Sequence, residues 1–184
     1  MKKKRKVNQR NNNRMDKNLL TEFEETTACL LQTLSSFTDE QFNHVPFKGS
    51  WTAGQVAEHL FKSESNAVQV LNGNTQATTD RKPDANEEAF RLSFLNFEIK
   101  FQSPGFVLPS DEPKNPEEFL KRFKKTREDI RKIIKTGDLT LTCADFSFPG
   151  MGELTRQEWL CFVNCHSIRH TRQLKNIYER LNNK

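Results

Sequence analysis

The chain has 184 residues, 34% hydrophobic and 29% charged, with a mean hydropathy of −0.80. That length suits one domain with a single core; the lack of any run of roughly 18 apolar residues excludes a membrane-spanning helix, and seven Gly with seven Pro exclude a collagen-like or Gly/Pro-rich disordered chain. The net charge of +5 belongs to one end: residues 1–14 carry seven basic side chains and no acid, and the remainder holds 22 basic against 24 acidic residues.

The opening KKKRKV, followed by Asn8, Gln9 and Asn11 to Asn13, has no apolar face and too little hydrophobic bulk to order itself. Residues 1–15 are therefore expected to form a disordered basic tail. No apolar stretch follows it, which argues against a secretory signal peptide. Two readings compete: a nuclear-import or nucleic-acid-binding arm, and an extraneous or over-extended start ahead of Met15-Asp16, where the first helical pattern begins. The second is favoured. In either case the charge implies salt-dependent affinity for phosphate.

Four amphipathic helices follow. From Asp16 to about Phe37, Leu19, Leu20, Phe23, Leu30, Leu31 and Leu34 recur at three-to-four spacing, with Thr26 and Thr27 at the missing step. A second helix opens at Thr52, which has capping-box spacing to Gln55, and stops at Asn72-Gly73. Asn115-Pro116-Glu117-Glu118 starts a third: a capping Asn, Pro at the first helical position, and acids on the positive end of the dipole. Its seam is Phe119, Phe123, Thr126, Ile130 and Ile133, and Gly137 ends it. The fourth runs from Thr155, with Glu158 as box partner, to about Leu181.

The connections over residues 38–51, 73–114 and 137–154 exceed the short turns of a simple up-down bundle. Such lengths let consecutive helices cross over the bundle instead of folding back side by side. Within 73–114, Phe90, Phe94, Phe97 and Phe101 have helical spacing while Leu95, Phe97, Ile99 and Phe101 alternate; a short helix plus coil is expected. Leu139, Leu141 and Cys143 alternate with Thr140 and Thr142, the pattern of a short extended piece.

The chain has four histidines. His166 and His170 lie four apart, on one face of the fourth helix, a spacing that suits two imidazoles converging on one metal ion. Both occupy seam positions, between Val163 and Leu174, where a bundle expects aliphatic residues. His59 likewise faces inward on the second helix. Three core-facing imidazoles on two helices make a His₃ set that leaves a fourth position for water or substrate, the open arrangement of catalytic metal sites. His44, in the loop Phe42-Asn43-His44-Val45-Pro46, reads as a surface residue.

Three segments carry a family resemblance. Ser50-Trp51-Thr52-Ala53-Gly54-Gln55-Val56-Ala57-Glu58-His59-Leu60 resembles the W-[ST]-x-x-[EQ]-x-x-x-H-L segment of the DinB/YfiT-like superfamily. Phe148-Pro149-Gly150-Met151-Gly152-Glu153-Leu154-Thr155, with Trp159, is similar to that superfamily's approach to its last helix. Cys165-His166-Ser167-Ile168-Arg169-His170-Thr171-Arg172-Gln173 resembles its H-x-x-R-H-x-x-Q signature. The resemblance covers residues 16–184 in order and spacing. It implies an all-α fold, a left-handed four-helix bundle with long crossover connections, and a divalent metal held by His59, His166 and His170. It further implies a cytoplasmic protein, often a homodimer, acting on a small-molecule substrate. Characterised members of the superfamily transfer low-molecular-weight thiols or act as metal-dependent isomerases, and many are described only as metal-dependent hydrolases.

Three neutral imidazoles leave a metal's charge uncompensated, so such a site acidifies a bound water or stabilises a thiolate. Thiol transfer to an electrophile is the leading expectation and metal-dependent hydrolysis the alternative; a non-catalytic metal- or ligand-binding stress protein is the reading from a different class. Imidazole ligands suit several metals, with zinc or nickel foremost. Gln55, Ser63 and Gln173, spaced four before and after His59 and three after His170, are candidates for orienting the rings. Glu58, adjacent to His59, points about 100° away and reads as a solvent or inter-helix residue. Cys161 and Cys165 read as small core-flanking residues, Arg169 as paired with an acid across the bundle, and Trp51 and Trp159 as helix-start anchors rather than substrate contacts. No membrane contact is expected, and nucleic acid only through the basic tail. That last possibility has a direct check: a chain beginning at Met15 should lose nucleic-acid binding or nuclear localisation if the tail confers them, and unchanged behaviour dismisses it.

Overall fold

The computed structural model describes residues 2–183, with side chains from 18 to 183. The segment 1–15, expected to be a disordered tail, lies outside the residues described with their side chains. In chain order the elements are α1 (Lys2–Ser35), α2 (Asp39–Asn43), α3 (Ala53–Asn72), β1 (Thr75–Gln76), α4 (Glu87–Phe94), α5 (Pro116–Thr136), β2 (Thr142–Phe148), β3 (Gly152–Thr155) and α6 (Arg156–Asn182), with a 3₁₀ turn at Gly105–Val107.

Helix starts follow the capping chemistry read from the sequence. Thr52 and Thr155 each accept from the backbone N–H three residues on, and Gln55 and Glu158 return the bond to the cap residue's own N–H. Asn115 accepts from the Glu118 N–H, with Pro116 behind it. These bonds satisfy N–H groups that the first helical turn leaves without partners. Gly73 caps α3, its N–H donating to the Val70 carbonyl, and the Asp145 carboxylate lies where a Cβ at this position would stand.

Helices α1, α3, α5 and α6 form a four-helix bundle. Helix α1 packs on α5 and α6, and α3 packs on the same two. Two apolar clusters fill the interior. Phe23, Ala67, Ile130 and Val163 belong to one; Leu30, Leu60, Phe123 and Leu174 belong to the other. Residue numbers rise from the first cluster to the second along α1 and α6 but fall along α3 and α5. Helices α1 and α6 are therefore parallel to each other and antiparallel to α3 and α5. Because α3 and α5 run the same way, the connection between them must travel the length of the bundle, which is why residues 73–115 are needed.

A polar layer separates the clusters, one residue from each helix. Arg127 on α5 donates from Nε to Glu64 on α3 at 2.9 Å, again from Nη2 to Glu64 and to Ser167 of α6, and from Nη1 to Thr27 of α1 at 3.3 Å. Ser167 also donates to Glu64 at 2.7 Å. Arg127 and Glu64 are each 1% exposed, so neither charge has water to fall back on.

The long connection contains the short helix expected of it, α4, but Phe97 and Phe101 fall in coil. The alternating stretch from Leu95 to Phe101 forms no strand; the Arg169 side chain takes the carbonyls of Phe94, Asn96 and Ile99 instead. The extended piece expected at Leu139–Cys143 begins only at Thr142. Leu139 and Leu141 lie in a turn whose carbonyls accept from Gln157 and Arg156, closing the start of α6. Strand β2 pairs antiparallel with β1 and β3 in a small three-stranded sheet, and the β2–β3 turn needs positive φ at Gly150 (79°) and Gly152 (75°).

The polar layer yields a stability prediction. Arg127→Leu leaves the Glu64 carboxylate buried without its partner and should cost about 3–5 kcal/mol in urea unfolding. Pairing Arg127→Met with Glu64→Leu should recover most of that loss, since no buried charge then stands alone.

Candidate metal centre

His59 lies on the second turn of α3, and His166 and His170 on successive turns of α6, where these two helices pack together. All three rings are buried. His166 Nε2 lies 3.2 Å from His59 Nε2 and 3.0 Å from His170 Nε2. Ligating nitrogens of the three rings all fall within 4.8 Å of one another.

Two of the three outer nitrogens are spoken for. His59 Nδ1 donates to the Val107 carbonyl at 3.0 Å, and His170 Nδ1 donates to Gln173 Oε1 at 2.9 Å. Both rings thus carry their proton on Nδ1 and turn an Nε2 lone pair toward His166. A proton on His166 Nε2 satisfies one of these neighbours and leaves the other lone pair without a donor, while a proton on His166 Nδ1 sets lone pairs facing each other at about 3 Å in both contacts. A cation removes that repulsion. In a tetrahedral site with metal–nitrogen bonds of about 2.0–2.1 Å, neighbouring nitrogens stand about 3.3–3.4 Å apart, close to the spacing here. The donor set fits a divalent ion with one position open.

Burial pushes all three imidazoles below the ordinary histidine pKa. His166 falls well below it, with further depression from repulsion by His170 and His59. His170 is pushed down to about 3, by burial first and repulsion from His59 second. His59 is lowered by burial against the opposing bond to Val107. The rings are neutral at physiological pH, the form that ligates.

A cavity of about 1300 Å³ adjoins the cluster. Its walls are aromatic. Phe162 stacks on His166 (5.2 Å, 19°), Phe94 meets the same ring edge-on at 5.8 Å, and Trp51 lies 5.3 Å from His59. Trp51 and Trp159 both line this space, so they do more than anchor helix starts. The segment from Leu95 to Lys114 straps across the opening and is tied to α3. Lys62 Nζ donates to the Leu108 carbonyl at 2.7 Å, and Glu58 accepts from the Ser110 N–H at 2.9 Å.

The other expected positions divide. Gln173 orients His170 as described. Ser63 lines the cavity, with no hydrogen bond to an imidazole among the described residues. Gln55 is a correction: as the third residue of α3 it turns back to the cap, its Oε1 accepting from Thr52 N at 3.1 Å and its Nε2 donating to Asp111, so it touches no ring. Glu58 is an inter-element residue that pairs with Lys62 and Lys114. Arg169 pairs with no acid among the described residues; it donates to the carbonyls of Phe94 at the end of α4 and of Asn96 and Ile99 in the strap. Cys161 and Cys165 are buried away from the cluster, with Cys161 Sγ 3.8 Å from the Glu87 carbonyl on α4. His44 is exposed. The residues that sequence reasoning passed over are the cavity's Phe94, Phe97, Phe101 and Arg172; the available signal was a cluster of Phe in a connection too irregular to bury them in the bundle.

The DinB superfamily model matches residues 22–174. The chain belongs to the DinB superfamily. It is 24% identical over 163 residues to YuaE of Bacillus subtilis, an alignment spanning 86% of this chain and 96% of that protein. Its fold is similar to that of YfiT from Bacillus subtilis, described as a probable metal-dependent hydrolase with an unusual four-helix bundle topology: TM-score 0.59 at 18% identity, covering 91% of this chain and 87% of the other. A DinB-family structure from Exiguobacterium sibiricum gives a TM-score of 0.56 at 14% identity, covering 91% and 92%. Among the described residues no helix is long and apolar enough to cross a membrane.

The depressed histidine pKa values set the sign of the pH dependence. Unfolded imidazoles take up protons near pH 6.5 and the folded ones do not, so the unfolded state binds more protons below that pH. Their contribution is fully present above about pH 6.5 and is lost as the pH falls toward the folded values. Urea midpoints of metal-free protein should therefore drop between about pH 7.5 and about pH 5, and His166→Leu should flatten that dependence.

Proposed function

We propose that His59, His166 and His170 hold one divalent ion through their Nε2 atoms, and that the protein joins a low-molecular-weight thiol to an electrophile bound in the adjoining cavity. The observation that carries this reading is the convergence of three imidazole Nε2 atoms, with no carboxylate beside them among the described residues. When bound, a divalent ion supplies Lewis acidity at its open position, lowering the pKa of a water or thiol placed there.

The chain's own residues do the rest. Val107 and Gln173 hold His59 and His170 in the tautomer that presents Nε2. Phe162, Phe94 and Trp51 keep water from the rings. Among the described residues Asp145 is the one acid lining the cavity, and both its oxygens accept from Asn74, from the backbone N–H at 2.7 Å and the side-chain amide at 2.9 Å. No unpartnered carboxylate among the described residues stands ready there as a general base. A thiol needs less help than water does, because it is already the stronger acid. The cavity also exceeds the roughly 300–1,000 Å³ of a usual single-ligand pocket, which suits two co-substrates. The transfer forms one S–C bond; the thiol proton leaves with a displaced halide or ends on the oxygen of an opened epoxide. It needs no oxidant or reductant.

Hydrolysis is the second reading, favoured by the likeness to YfiT. It uses the same three histidines with water as the nucleophile.

Elemental analysis of protein purified without a histidine tag should give one divalent ion per chain, and His59→Ala and His166→Ala should each abolish it. Gln173→Ala should weaken metal affinity about 10–100-fold while leaving the fold intact. Turnover of an epoxide or haloalkane with an added thiol, lost in His59→Ala, supports transfer; ester turnover without thiol supports hydrolysis. Failure to bind metal even after it is added back overturns both.

A further inference from the structure

Four charged side chains line the cavity: Lys100, Arg169, Arg172 and Asp145. Three are cations, and the single carboxylate is already satisfied by Asn74. None of the three cations meets a carboxylate among the described residues. Of the other described arginines, Arg81, Arg91, Arg122, Arg127 and Arg131 each pair with a glutamate, Arg156 donates to the Leu71 and Asp138 carbonyls and Arg180 lies over Phe47. The cavity therefore gathers cations whose charge no carboxylate among the described residues answers.

The two arginines differ in what remains available. Arg169 donates to the Phe94 carbonyl of α4 and to two strap carbonyls, Asn96 and Ile99, and lies 5.0 Å over Phe101; it closes the strap onto α6 and adds positive potential. Arg172 makes no hydrogen bond among the described residues. Its guanidinium carbon sits 4.0 Å from the centre of the Phe97 ring, a cation–π contact that restrains the side chain without using its N–H groups. A guanidinium held in place with its donors free is preorganised for bidentate recognition of a carboxylate. Arg172 lies two residues past His170, about 200° further round α6, yet it lines the same cavity as the histidines, Phe94, Phe101 and Phe162, so an anion held on it keeps the rest of the molecule within that aromatic cavity.

We propose that the electrophilic substrate is an organic anion with an apolar, preferably aromatic, body: its carboxylate docks on the Arg172 guanidinium while the body lies against Phe94, Phe101 and Phe162. The inference deepens the function proposed above and rests on it for the word substrate, but the binding it describes is a property of this chain's own residues and does not need the ion.

Trp51 and Trp159 line the cavity, so their fluorescence reports occupancy directly. Protein held in chelator is titrated with 4-phenylbutyrate, with its uncharged analogue 4-phenylbutanamide, and with 4-phenylbutylammonium. The carboxylate should bind about tenfold or more tighter than the amide, as expected for charge-assisted hydrogen bonds, and the ammonium weakest. Arg172→Gln should collapse the difference between acid and amide to less than about threefold while leaving amide binding and the near-ultraviolet circular dichroism unchanged; Arg172→Lys should restore part of it. Equal binding of acid and amide, or a preference that survives Arg172→Gln, overturns the proposal. So does a preference that exists only with added metal, which would place the carboxylate on the ion. If instead the protein binds no metal but the Arg172-dependent preference stands, the metal reading fails and the anion site does not.

Discussion

Four helices meet at one level around the Arg127 guanidinium, and the cost of burying that charge constrains the rest of the molecule. Arg127 can be stripped of water only if Glu64, Ser167 and Thr27 all lie within hydrogen-bond reach, so α1, α3, α5 and α6 have a single acceptable register. Ser167 immediately follows His166, and Glu64 lies five residues beyond His59. The same layer that fixes the axial positions of α3 and α6 therefore fixes where their histidines meet. Apolar layers alone tolerate sliding and repacking far better than a bidentate ion pair does, and a shift of one helical turn would carry His59 past its partners.

The centre itself is built from neutral groups in a dry place. Burial keeps the three imidazoles unprotonated, and hydrogen bonds from two of their outer nitrogens aim the lone pairs inward. Such a cluster is self-repelling as it stands and becomes favourable around a cation, which is how a site can be arranged before its ion arrives. One of those orienting bonds comes from the helix that carries the ring, through Gln173, and the other from Val107 in the strap. The strap is thus both a wall of the cavity and part of the histidine geometry.

That dual role follows from topology. Parallel α3 and α5 oblige the chain to return along the bundle, and the return path passes over the groove between α3 and α6. A segment with this route brings Phe94 against His166 and Phe97 and Phe101 into the same cavity, and is tied down by Arg169 on one side and by Lys62 and Glu58 on the other. The long connections are what turn a pair of packed helices into an enclosed, two-sided site.

The bundle was legible in the chain because its signals are local. Apolar residues at three-to-four spacing, capping boxes at Thr52 and Thr155, and Asn115-Pro116 mark helices through interactions spanning a few residues, and His166 with His170 shares a face by the same helical period. His59 was reachable because an imidazole replaced an aliphatic residue on an otherwise apolar seam. What depended on tertiary structure was every contact between distant segments: the Arg127–Glu64 layer, the capture of strap carbonyls by Arg169 instead of an acid, and the placement of Arg172 over Phe97. Periodicity reports which side of a helix is buried, but a hydrogen bond between residues seventy or a hundred positions apart depends on how the chain closes in space, and only the assembled bundle decides that.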